Sequence, residues 1–399
     1  MWAINKASVA GLGALAFLVA GSAVGETAFA PRITVSAEYD DNNRLTNDPA
    51  QEVEVTGAKL DAVMALESRS PTTEIRLAPR VRTTQYPGES DDSATDGFLD
   101  LRVTSKGERS RLSLDTNYSN EVTLGNFFPG LDLDSELGDP EPGTDTQAGD
   151  VNNRREFLRA RGSIEWLLTE RTALSIGAEQ AEVGYDENDV FGRRDFSNFG
   201  GEIGLSYKFS ETSSISVRGG LDRFDPDVGD EIDTTTFLIE YGNTVDESYR
   251  FYVRAGANLV DSVDEFGNST TETGFSGGLG VVRQAQVSRV FFDVNHYVDP
   301  NESGTLVNRT QARLGLERRL SELLSLRLGI RYFGDDGAPG DDSYVSRSYA
   351  SADIGLSYRM TKAISIFGAY EFRTTETDGS DSSQSNRISI GFAWEPRAR

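Results

Sequence analysis

The sequence predicts an all-β fold, a transmembrane antiparallel up-and-down β-barrel of about eighteen strands. Three observations point there. Apolar residues recur at every second position in segment after segment, the period of a strand with one apolar and one polar face. The connections between segments alternate between short and long. Aromatic residues gather at the two ends of the segments and leave an aliphatic middle.

In chain order, residues 1–25 read as a signal peptide: one lysine, an apolar stretch from Val9 to Val19, then small residues. That stretch is too short to span a bilayer as a helix. Cleavage is expected after Ala23 or Gly25, leaving 26–399 as the barrel, with no plug domain ahead of Arg32. Strands are expected near 32–40, 58–68, 73–85, 96–105, 110–120, 154–167, 172–184, 197–209 and 214–224. The second half continues near 233–243, 249–260, 271–283, 288–298, 306–318, 324–333, 344–359, 363–374 and 385–395. Segment 58–68 is the faintest, and the alternation of connections requires it.

Short connections fall at 69–72, 106–109, 168–171, 210–213, 244–248 and 360–362. Long acidic ones fall at 86–96, 225–232 and 375–384, and the longest, the third, spans 121–153. Strict alternation puts every short turn at one end of the sheet and every long loop at the other, as in barrels with periplasmic turns and extracellular loops.

The faces say which solvent the sheet meets. Leu324, Leu326, Leu328 and Ile330 alternate with Ser325, Arg327, Gly329 and Arg331. Phe251, Val253, Ala255, Ala257 and Leu259 do the same, as do Ile388, Ile390, Phe392 and Trp394. A soluble sandwich would also show one clean apolar face. It has no reason to place Trp166, Tyr207, Phe209, Tyr241, Phe251, Tyr358 and Trp394 at one end and Tyr39, Tyr118, Phe199, Phe237, Phe275, Tyr332, Tyr370 and Phe372 at the other. Two aromatic girdles around an aliphatic band are a membrane signature.

With these features the chain resembles outer-membrane porin-type barrels of Gram-negative bacteria. "ITVSAEYDDNNRLT" (33–46), "LTERTALSIGAEQAEVGYDEN" (168–188) and "YKFSETSSISVRGG" (207–220) are similar to a loosely defined group of β-barrel porins associated with exopolysaccharide export. That resemblance implies passage of hydrophilic solutes, including polysaccharide, and an outer-membrane setting with lipid and lipopolysaccharide around the wall. "RISIGFAWEPRAR" (387–399) is similar to the last-strand signal read by the barrel-assembly machinery, except that residues follow the aromatic Trp394.

Eighteen strands enclose more space than side chains fill, so an aqueous lumen is expected. Inward positions offer Arg76, Arg80, Arg82, Arg102, Arg159 and Arg161 as pore-lining residues. The third loop carries Asp132, Asp134, Glu136, Asp139 and Glu141 without a lysine or arginine. Folded into the lumen on Leu131, Phe127 or Phe128, it would face an arginine wall and make a charged constriction. The plain alternative is a solvated surface loop, with the arginines paired to Asp100, Asp115 and Glu165.

Other chemistry finds little footing. The net charge of −25 opposes nucleic-acid binding, which rests on neutralising phosphates. Absence of cysteine removes thiolate metal sites and cysteine nucleophiles. No metal, cofactor or catalytic set is expected. His296 is the one histidine of the chain, and its register points it outward with Val290, Phe292 and Val294, away from any hydrolase site. Asp225, Asp227, Asp230 and Glu231 have loose calcium-loop spacing but lack its full register. The glycines of 274–282 lie inside a strand, where they ease curvature. The leading expectation is therefore a channel; a non-conducting surface barrel for adhesion or partner binding comes second, and an outer-membrane hydrolase third.

Overall fold

The computed structural model describes residues 26–89, 92–122, 153–186, 193–228, 231–246, 248–263, 269–300, 305–337 and 345–396. The signal-peptide segment lies outside them. The strands are β1 (Glu26–Asp40), β2 (Val55–Arg69), β3 (Thr73–Gln85), β4 (Ala94–Lys106), β5 (Ser110–Val122) and β6 (Arg154–Leu167). Next come β7 (Thr172–Tyr185), β8 (Phe196–Lys208), β9 (Ser213–Pro226), β10 (Glu231–Asp246), β11 (Tyr249–Val263) and β12 (Ser269–Gln284). The last six are β13 (Ser288–Pro300), β14 (Leu306–Arg319), β15 (Leu324–Gly337), β16 (Arg347–Arg359), β17 (Ile364–Thr377) and β18 (Ser383–Trp394). They form one 18-stranded antiparallel sheet, each strand beside its neighbours in sequence, and β1 closes on β18.

The faint segment 58–68 is indeed a strand, β2. β1 starts at Glu26, earlier than the alternation suggests, because its first residues pair with β2 alone; its ladder with β18 begins at Ile33. Pro31 sits in that one-sided stretch, where a missing N–H is tolerated. Pro79 has the same effect within β3. The β2–β3 ladder breaks between the Val63–Arg80 and Leu66–Leu77 pairs, and Pro79 lies in the break. Glu121, the first residue of the expected 121–153 loop, belongs to β5 and pairs with Arg155 of β6.

Alternation along each strand now has a direction. Leu221 is 67% exposed, Ile390 62% and Phe199 60%. A sandwich would bury such residues, whereas here they form the outer wall. Toward the short-turn end, Phe209 stacks on Tyr241 at 6.0 Å, and Tyr241 meets Phe251 at 5.8 Å, so one girdle is continuous over β8 to β11. A closed barrel with an apolar belt is the β architecture that a bilayer accepts, since it leaves no sheet edge in lipid. Barrels of this kind belong to the outer membrane of Gram-negative bacteria, with their short turns in the periplasm. The chain is an outer-membrane β-barrel.

The two faces of one strand give a direct check. Ile354 of β16 points into the belt, while Ser357 lines the interior. Ile354→Arg is expected to cost about 2–4 kcal/mol of folding stability in lipid vesicles. Ser357→Arg is expected to cost a small fraction of that in the same denaturant titration. Equal losses at the two positions would contradict the assignment of faces.

Candidate pore and constriction

Inside the periplasmic half lies a cavity of about 1050 Å³. Its wall comes from the inward faces of β1 to β3 and β13 to β18 and from the turn at 285–287. Ten basic side chains border it: Arg32, Lys59, Arg80, Arg82, Arg289, Arg318, Arg319, Arg327, Arg331 and Arg387. Six acids do so, namely Glu38, Asp61, Glu317, Asp353, Glu371 and Glu395, leaving a formal excess of four positive charges. A chain with a net charge of −25 thus encloses a basic vestibule.

Of the six arginines singled out in the sequence, Arg80 and Arg82 border this vestibule. They flank the ring of Phe98, with guanidinium carbons 5.1 and 4.9 Å from its centroid. Arg80 donates to Asp61, with Nε 3.0 Å from Oδ1. Arg82 is buried, 3.0 Å from Asp96 and 3.3 Å from Glu121. Arg76 and Arg102 stand opposite each other on β3 and β4. Each is offset by an acid, Glu67 at 3.8 Å and Asp115 at 2.6 Å. Arg159 and Arg161 share Glu179 on β7, and Arg161 also reaches Glu202 at 3.5 Å. The arginines are therefore distributed round the lumen with carboxylate partners, of which Asp115 was anticipated and Asp61, Asp96, Glu67 and Glu179 were not. The predicted constriction acids Asp132, Asp134, Glu136, Asp139 and Glu141, with Phe127, Phe128 and Leu131, lie outside the described residues.

Two other elements reach into the outer half of the lumen. The first is the loop after β1, residues 41–54. Leu45 is 1% exposed and packs with Phe333 and Tyr349, which point inward from β15 and β16. Its φ is +52°, a conformation uncommon outside glycine, so packing holds it there. Asn42 ties the loop to the wall through Nδ2 to the Gln384 carbonyl at 3.0 Å. Arg44 ties it to the next outer loop through Asp92 at 3.0 Å. Gly57 lets that second loop approach; a Cβ there would collide with the Gln85 carbonyl and the Tyr86 ring. The Tyr86 hydroxyl donates to Glu38, and burial, reinforced by that carboxylate, pushes its pKa well above the ordinary phenol range. A lone leucine within "DDNNRLTNDPAQE" was the available sequence signal for this inward fold. Leu45→Asp is expected to release the loop and raise single-channel conductance, with refolding yield unchanged; an unaltered conductance would place the loop outside the solute path.

The second element is the outer end of the β13–β14 hairpin. The β12–β13 ladder stops at the Gly277–His296 pair, although β12 begins at Ser269 and β13 runs on to Pro300. Beyond that pair β13 stays with β14, through Tyr297–Arg309 to Pro300–Leu306. The described residues flanking 301–304 part from β12 and lean into the lumen. Leu306 is buried against Phe224 of β9 and Val260 of β11, with Phe196, Ile232 and Val298 around them. Measured along the wall, β14 and β9 are five strand spacings apart, roughly 24 Å, so this contact crosses the interior. Asp299 likewise comes within electrostatic reach of Arg159 and Glu179 on β6 and β7. Arg309 is fully buried between Asp299, at 2.7 Å, and Asp335, at 2.7 Å.

His296 lies on the outer face as expected. Its ring stacks on exposed Phe275 at 6.2 Å, and Nδ1 is 2.9 Å from the Thr310 hydroxyl. That is an interfacial position. Among the described residues, no group of acids and histidine is arranged to hold a metal ion.

No known protein family matches the chain, and no curated protein matches its sequence. Several solved structures are similar in shape. OccK3 (OpdO) of Pseudomonas aeruginosa has 12% identity, with 96% of this chain and 100% of that chain covered and a TM-score of 0.48. OccK2 (OpdF) of the same organism, solved in complex with glucuronate, has 8% identity, 93% and 99% coverage and a TM-score of 0.47. A BenF-like porin from Pseudomonas fluorescens Pf-5 has 10% identity, 92% and 99% coverage and a TM-score of 0.47. At identities this low the likeness concerns barrel shape alone.

Proposed function

We propose that the barrel is an outer-membrane channel for small hydrophilic solutes, passing anions ahead of cations. The observation that carries this reading is the basic vestibule, with ten cationic and six anionic side chains around about 1050 Å³. Rings of fixed charge in a low-dielectric wall select the opposite sign of solute. No chemical step is needed; solute runs down its gradient. Surrounding lipid and lipopolysaccharide, and the assembly machinery that inserts barrels, are its expected partners. The finer part of the proposal, from the exopolysaccharide resemblance, is that an extended acidic polysaccharide threads the same basic path.

The test is single-channel recording of the refolded mature protein in planar bilayers under a salt gradient. Open steps with a reversal potential on the anion side support the channel; cation preference would remove the role given to the vestibule. Acidic oligosaccharides should then block current in a length-dependent way, and neutral ones should not. A second reading rests on the inward packing of Leu45 and Leu306 in the outer half of the lumen. A silent but inserted, heat-modifiable barrel would support a surface-binding role instead.

A further inference from the structure

We propose that the vestibule seats the ring of an acidic sugar between Phe367 and Arg327. The proposal rests on the channel reading and deepens it, because it says what the vestibule reads besides charge. Of the two aromatic residues that border the cavity, Tyr370 stands in the outer girdle, while Phe367, three residues earlier on β17, points inward. The Phe367 ring leans sideways over β18. A Cβ at Gly391, its register partner there, would lie 2.8 Å from the ring's Cζ, so this position needs glycine.

Beside the ring the wall is low. Gly355 and Ala369 pair one step further out, and a Cβ added at Gly355 would meet nothing closer than 3.9 Å. Arg327 pairs with Gly355 from the other side, so it stands two strand spacings from β17, roughly 10 Å away. Ser357 lies opposite Phe367, Ser325 opposite Ser357, Ser389 opposite Ala369, and Ser365 precedes the ring on β17. All four serines are half-buried and border the cavity, and their hydroxyls make no hydrogen bond within the protein among the described residues.

An apolar ring, a set of open hydroxyls and a cation at the far end match a pyranose that carries a carboxylate. The C–H bonds on one sugar face pack on Phe367, the sugar hydroxyls exchange hydrogen bonds with the serines, and the carboxylate pairs with the guanidinium. Arg327 holds Glu317 through a single oxygen, at 2.7 and 3.2 Å, and both side chains are exposed. An exposed pair of this kind is weak, so a solute carboxylate can compete for the arginine. A small inorganic anion would use Arg327 alone, and an aromatic acid would leave the hydroxyls without a role.

The test is titration of galacturonate into the open channel in planar bilayers, with lactate and benzoate as controls for charge alone and for charge with an aromatic ring. Galacturonate should interrupt the current at concentrations where neither control does. Phe367→Ala should weaken that block about tenfold, and Phe367→Trp should keep it. Phe367→Leu replaces the alanine variant if that one does not refold. Ser357→Ala with Ser389→Ala should weaken the block by galacturonate and leave the response to lactate unchanged. Benzoate acting as strongly as galacturonate, or an equal block of wild type and Phe367→Ala, overturns the seat and leaves the channel standing. An inserted barrel that passes no current overturns the channel reading, and saturation-transfer NMR of galacturonate on the detergent-refolded protein then decides the seat by itself. Transfer to the sugar ring protons that Phe367→Ala abolishes supports it; no transfer overturns it.

Discussion

Asp40→Ala is expected to cost about 3–5 kcal/mol, since removing one partner of a buried charge cluster leaves the remaining charges desolvated and uncompensated. Asp40 ends β1 and is fully buried at the closure of the barrel, opposite Arg387 of β18. Its carboxylate accepts from Arg373, from the Ser385 hydroxyl at 2.6 Å and from Arg387 Nε at 2.9 Å. The Asn42 backbone N–H also donates to it, at 3.1 Å, which anchors the start of the inward first loop. Loss of this one group therefore weakens both the seam and the loop. Asp40→Asn keeps acceptor oxygen without charge and should lose less. Denaturant titration in lipid vesicles reads both variants; a loss below about 1 kcal/mol for Asp40→Ala would mean that water reaches the two arginines freely and that the seam is not sealed as described.

Replacing Arg32, Arg319 and Arg327 together by Glu is the other large expected effect. All three are exposed in the vestibule, so folding should tolerate the change better than at buried Arg82. Each substitution moves the formal charge by two, which takes the vestibule from an excess of four positive charges to an excess of two negative ones. Screening at physiological salt reaches about 8 Å, so a cavity of this size feels its own wall rather than the distant loops. The reversal potential under a salt gradient should change sign, from anion to cation preference. Unchanged selectivity in an inserted triple variant would show that solute is chosen elsewhere along the path, and the outer half of the lumen would be the next place to look.

The wall was legible in the sequence because a bilayer imposes one rule at every strand. Alternation at Phe251–Leu259 or Ile388–Trp394 fixes which side chains meet lipid, and the outward position of His296 followed from counting by twos. Even β2 could be found, since the order of short and long connections demanded it. The lumen was less legible, since period two gives a face and not a partner. Arg82 meets Asp96 and Glu121 only because β3, β4 and β5 pair in a particular register, which no local pattern states. The hairpin in the lumen was hidden for a related reason. Polar and apolar residues alternate through Tyr297 and Val298 as if the wall continued, and the parting of β12 from β13 is a non-local event. Leu45 did leave a trace, the one leucine in a mostly polar loop.

The placement of charge along the axis has an electrical consequence. Acids crowd the outer connections, as at Asp41, Asp48, Glu52, Glu54 and Asp227, while the excess at the periplasmic end is basic. A conduit with fixed charge of one sign at its entrance and the other at its exit behaves as a junction rather than a resistor. One polarity draws cations in from the acidic mouth and anions in from the basic one, and the bore fills with carriers. The opposite polarity sweeps both out and leaves it depleted. On the proposed channel reading, such a barrel is expected to rectify ionic current, passing more at one polarity of the salt-bathed membrane than at the other.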